Sequence, residues 1–100
     1  MIDFSAVLTD LDGNPMKDGE NDATLGRIAT NALLLPYQDE QNLSGEDKLK
    51  RFMLAGKARG PAVELTVEEI ALAKRLIGKA YGPLVVGRAW ALLDPASVSA

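Results

Sequence analysis

The sequence predicts an α+β fold that is mostly helical, with an N-terminal β-hairpin packed on a three- to four-helix bundle. Three observations carry this. Apolar residues recur at helical spacing over 24–35, 44–55 and 66–81. Each of these stretches opens on a Thr or Ser that can cap it and is followed by Gly or Pro. The start of the chain instead alternates apolar and polar residues, as a half-buried strand does. At 100 residues, 47% apolar and 25% charged, the chain reads as one globular domain rather than a disordered segment. Its expected parts are a hairpin and acidic loop at 1–22, a helical core at 23–94 and a frayed tail at 95–100.

Residues 2–11 read IDFSAVLTDL, and Phe4, Ala6, Leu8 and Leu11 give this strand an apolar face. DGNP supplies turn chemistry, and a short second strand near Met16 completes the hairpin. The polar loop KDGENDA leads to a helix over 24–35, capped by Asp22 or Thr24. Leu25, Ile28, Ala29, Ala32 and Leu35 form its apolar stripe, and Pro36 ends it. Residues 36–43 form a connection with an exposed Tyr37. Ser44 caps the next helix, and Asp47 makes a weaker variant of the capping box. Here Leu49, Phe52 and Met53 are expected inside, with Lys48, Lys50 and Arg51 outside. Gly56, Gly60 and Pro61 close this helix, and 62–65 form a short extended link.

Most of the apolar mass lies in 66–94. Thr66 and Glu69 have capping-box spacing, and Glu68 and Glu69 place negative charge at the helix start, where the dipole favours it. Ile70, Ala73, Leu76, Ile77, Ala80 and Tyr81 repeat at helical spacing. Gly82 ends the helix and Pro83 opens the next, since a proline at the first helical position gives up no hydrogen bond. Residues 84–93 are apolar almost all round, with Arg88 the one charge, and Pro95 stops the helix. The expected core contains Ile28, Leu49, Phe52, Ile70, Leu76, Ile77, Val86 and Trp90.

The chain has neither cysteine nor histidine. That removes the usual zinc ligands, the Ser-His-Asp and Cys-His systems and the commonest acid–base residue. No cofactor or metal is expected, and the protein reads as a non-enzyme. LTDLDGN looks like the first motif of haloacid-dehalogenase phosphatases, with Asp10 and Asp12 as nucleophile and acid–base. That family needs a multi-stranded parallel sheet and further Lys and Asp motifs, which this chain has no room for. Asp10, Asp12 and Asn14 also imitate a calcium loop, but Gly13 is misplaced and Asn21 stands where a bidentate Glu is required. A turn explains both. The 66–93 helix pair is not a DNA-reading motif, because its second helix offers no polar side chains to base edges. Ten apolar residues do not span a bilayer, which takes ~20. No basic region followed by an apolar run opens the chain, so the expected location is cytoplasmic.

Charge is unevenly placed. Residues 1–47 hold ten acids and two bases, a net of −8, whereas 48–100 hold nine bases and four acids, a net of +5. One reading is self-neutralisation across the folded surface. The other is an acidic face that steers the protein to a basic partner.

The segments TLGRIATNALLLPYQDEQNLSGEDKLKRF and LIGKAYGPLVVGRAWALLD, with the DLDGNP hairpin, resemble small phage-encoded type I-F anti-CRISPR proteins. The resemblance implies a monomeric, non-enzymatic inhibitor. It would bind the crRNA-guided Csy surveillance complex and block target DNA, without touching nucleic acid or membrane itself. Such a complex holds DNA through basic surfaces, which acids can occupy in place of phosphates. The expected contact residues are Asp10, Asp12, Asp18, Glu20 and Asp22, with Asp39 and Glu40 as a second patch. The alternative is a phage structural or assembly protein that uses apolar surface of the 84–93 helix as an interface.

Overall fold

The computed structural model describes residues 1–97. The chain begins as an extended strap rather than a continuous strand. Ile2 bridges Val63 in antiparallel fashion, Val7 bridges Thr24 and Thr9 bridges Pro15. The alternation read from the sequence holds along the strap, with Ile2, Phe4 and Leu8 buried and Ser5 and Val7 outside. Leu11, expected on the apolar face, is exposed because Asp10 starts a turn there. The chain reverses at DGNP as expected, with the Asp10 N–H donating to the Asn14 carbonyl and the Met16 N–H to the Leu8 carbonyl. A second reversal lies in the stretch expected to be a polar loop: β1 (Lys17–Asp18) pairs antiparallel with β2 (Asn21–Asp22). Gly19 and Glu20 form its tip, and Gly19 takes φ +70° at the first turn position, as tight hairpins require.

Four helices follow: α1 (Leu25–Leu34), α2 (Gly45–Lys57), α3 (Val67–Ala80) and α4 (Pro83–Leu93). Three begin where a side chain satisfies a free backbone N–H. Thr24 caps α1, Ser44 caps α2, and Thr66 with Glu69 makes the reciprocal capping box on α3. α4 starts with Gly82 as its cap residue and Pro83 in its first turn, as expected. A 3-10 turn spans Gln38–Glu40. Another spans Pro95–Ser97, the start of the expected frayed tail, and the rest of that tail, 98–100, lies outside the described residues.

α1 is the central element. It packs against α2 on one side and α3 on the other, and α4 packs on α3. Leu25, Ile28, Ala29, Ala32 and Leu33 are buried on α1, with Leu76 and Ile77 of α3 against them. Burying a Leu or Ile side chain fully contributes about 1.5–3 kcal/mol, so these residues supply much of the driving force. Ile70, Val86 and Trp90 are half-buried rather than central. Leu49 and Phe52, expected in the core, are exposed. The buried face of α2 is Arg51, Leu54 and Ala55, with Ala58 just beyond, so the helix is rotated away from the orientation its bulkiest residues suggested.

The strap, α1 and the end of α2 meet at Gly26. Its N–H donates to the Phe4 carbonyl at 2.8 Å. A Cβ placed there would stand 2.8 Å from the Ala58 carbonyl oxygen and 3.0 Å from that of Phe4. Both obstacles are backbone and cannot swing aside. Gly26→Ala should therefore cost about 1–3 kcal/mol of stability, as overpacked sites do, despite the better helix propensity of alanine. Urea denaturation is the check.

Candidate interaction surface

Most of the seven acids singled out in the sequence serve the fold. The Asp10 carboxylate accepts from the backbone N–H groups of Asp12 and Asn14, both at 2.9 Å, and so shapes the turn. Asp18 pairs with Arg27 at 3.2 Å, and Asp22 with Lys17 across the hairpin. Asp12 and Glu20 are exposed and take part in no ion pair among the described residues.

Asp39 and Glu40 sit apart from these, facing α2 and α3. Arg51 donates to both Glu40 oxygens in a fork, at 2.8 and 3.0 Å. Arg75 reaches the same carboxylate at 3.4 Å and Lys79 lies 3.5 Å from it. Lys79 also donates to both oxygens of Asp39. Arg51 was expected outside, but its side chain is only 7% exposed, because Glu40 offers the planar, bidentate acceptor that a buried guanidinium needs. The acidic first half of the chain thus neutralises the basic second half here.

Tyr37 closes this corner. It was expected exposed, yet it is half-buried and its hydroxyl donates to the Ala32 carbonyl at 2.7 Å and the Leu76 carbonyl at 3.1 Å. In a continuing helix the Ala32 oxygen would accept from residue 36, but Pro36 has no N–H. The Tyr37 hydroxyl substitutes for it, and burial pushes its pKa up. The Lys79 ammonium stands 4.6 Å from the centre of the ring.

With Arg51 turned inward, the opposite side of α2 carries Leu49, Phe52 and Met53 into solvent, 55%, 65% and 58% exposed. These lie at i, i+3 and i+4 and form one stripe. Gly45 and Gly56 continue it at both ends, and a Cβ on either would meet nothing within 4 Å. Beside Lys48 and Arg51 lies a groove of about 560 Å³, walled by Leu34, Leu35, Pro36 and Leu43 and by the polar Glu40 and Gln41. A second apolar area joins Leu11 to Leu84 and Ala91 on α4. The α4 area falls on the helix where the sequence suggests an apolar interface; the outward stripe of α2 is not anticipated there. The signal was present in α2, whose apolar residues occupy two stripes, only one of which can face α1.

Among the described residues, no group of three carboxylates is placed to hold a metal ion, and no helix is long and apolar enough to cross a membrane. No protein-family model, curated protein or solved structure matches the chain.

The Glu40 carboxyl is held well below its ordinary 4.5, at about 2, first by the Arg51 hydrogen bonds and then by the nearby cations, against the cost of burial. Glu69 is lowered too, by Lys57 and then by the Thr66 N–H. A carboxyl whose pKa falls on folding binds fewer protons in the folded state. It adds stability above its unfolded value, and loses it as pH drops from near 4.5 toward 2. Stability should fall over that window. Glu40→Gln should be less stable at neutral pH and lose less on acidification. Arg51→Met should cost less than Glu40→Gln at neutral pH, since it leaves Glu40 with Arg75 and Lys79, whereas Gln strands a buried guanidinium. Denaturant midpoints across pH measure both effects.

Proposed function

We propose that this protein acts by binding rather than by catalysis, as an assembly or adaptor component whose contact surface is the apolar stripe of α2. The observation that carries this is the outward placement of Leu49, Phe52 and Met53 on one helix face. Contiguous apolar surface of this kind costs solubility and marks interfaces in soluble domains. The face is also the one α2 does not need for its own packing, since Leu54, Ala55 and Ala58 already seat it. The apolar interface expected on 84–93 is the lesser candidate, because Val85, Val86 and Trp90 there are partly covered by the rest of the fold.

A second reading is inhibition of a type I-F Csy complex through acids. It is favoured by Asp12 and Glu20, which stand exposed with no base of their own among the described residues. Asp18, Asp22, Asp39 and Glu40 support it less, because each is already matched to an internal cation.

A pull-down on assembled Csy complex followed by a target-DNA gel shift separates these readings. Wild type, Leu49→Lys with Phe52→Glu, and Asp12→Asn with Glu20→Gln are compared. Capture lost only in the α2 variant makes the complex the partner and α2 the contact. Capture and DNA displacement lost only in the acid variant, most strongly at low salt, would overturn the α2 reading. No capture of wild type removes the complex as partner and leaves the assembly reading.

A further inference from the structure

We propose that the occupant of the α2 stripe is a second copy of the same chain, docked antiparallel about a two-fold axis near Phe52. The proposal rests on the reading of α2 as a contact surface and adds the identity of the partner. A two-fold interface must be complementary to itself, because the same patch serves both subunits. The α2 stripe meets that condition by charge. Glu46 lies beside it in the first turn and Lys57 beside it in the last, on the same flank by helical spacing. Neither Glu46 nor Lys50, between them on that flank, is engaged in an ion pair among the described residues. Lys57 is held at 2.8 Å by Glu69 of its own chain, but its side chain is 54% exposed and has donors left for a second carboxylate. Side-by-side parallel helices would leave Glu46 and Lys57 of different copies ~16 Å apart along the axis. Antiparallel helices set Glu46 against Lys57 of the second copy and also oppose the two helix dipoles.

The steric pattern agrees with the same register. The midpoint between positions 46 and 57 falls between Arg51 and Phe52, so the exposed Phe52 rings meet near the axis. Leu49 then lies between Met53 and Gly56 of the partner helix, where Gly56 leaves open space for it, and Met53 lies beside Leu49 and Lys50 of the partner. Gly45 and Gly56 at the ends of the stripe let the two backbones approach. Area sets the expected strength. A helix of 13 residues is about 20 Å long, and its one face covers less than the ~800 Å² per partner of a standard interface. The result is a reversible dimer with micromolar affinity, not an obligate one.

Sedimentation equilibrium on the full chain, from low micromolar to millimolar, tests this directly. The expected result is a mass rising from one chain to two. Leu49→Lys with Phe52→Glu should raise the dissociation constant by about 100-fold while helical circular dichroism and the urea midpoint stay near wild type, since these side chains are exposed. Orientation is read separately. The chain has no cysteine, so a single introduced thiol can pair only between copies. Phe52→Cys should cross-link readily on oxidation. Glu46→Cys should not, because antiparallel docking holds the two positions ~16 Å apart along the axis. A mass of one chain at every concentration, a dimer indifferent to the α2 substitutions, or equal cross-linking at 46 and 52 would each overturn the proposal. A monomer whose α2 variant still loses capture by another protein would leave the binding role of α2 standing and remove only its self-pairing.

Discussion

The placement of α2 depends on one carboxylate. Glu40 lies in a short 3-10 turn between α1 and α2, and from there it holds Arg51 of α2 together with Arg75 and Lys79 of α3. α2 makes its main packing contact with α1 alone, so its rotation is not dictated from several sides. It has two faces that could have been buried. One offers Leu49, Phe52 and Met53, and the other offers Leu54, Ala55 and Ala58 with Arg51 among them. The second wins because a buried guanidinium with a forked carboxylate partner is fully satisfied, while the small alanines allow α2 to lie close to α1 and the strap. The larger apolar residues are left outside as a consequence.

Much of this fold was legible in the sequence because it is written in local chemistry. The Thr66 and Glu69 capping box, the Ser44 and Thr24 caps and the Pro83 helix start depend only on residues a few positions apart. They came out as read. What was not legible depends on distant partners. Arg51 turns inward for Glu40, eleven residues away, and Tyr37 is drawn in by a carbonyl thirty-nine residues away. Hydrophobic periodicity alone cannot choose between two apolar stripes on one helix, and bulk was a poor guide to which one α1 would accept. The reversal at Gly13 and Asn14 is local and came out as expected, whereas the paired strands around Gly19 were not legible, since residues 17–22 are polar throughout and carry no apolar alternation.

The charge asymmetry has a physical resolution that differs from the one first suggested by its size. Acids of the first half and bases of the second meet at Asp39 and Glu40, and the hairpin acids Asp18 and Asp22 take the only two bases of their own half. Charge here joins segments that are far apart in sequence. The matched acids are not free to stand in for phosphates, and this, with the exposed stripe of Leu49, Phe52 and Met53, is why we prefer a binding role through α2 to an acidic mimic of nucleic acid.

The strap has a consequence for how the molecule assembles. Ile2 exchanges backbone hydrogen bonds with Val63, and the Phe4 N–H donates to the Gly60 carbonyl, so they close a loop of about sixty residues, the costliest kind of contact to form early. α1, α2 and the turn between them must already be in place to offer Gly60 and Val63 at the right spacing. Folding should therefore proceed from the helices outward, with the first residues of the chain laid down last. In the native state the same bonds should be the first to open, and their amides the quickest of the buried set to exchange with solvent.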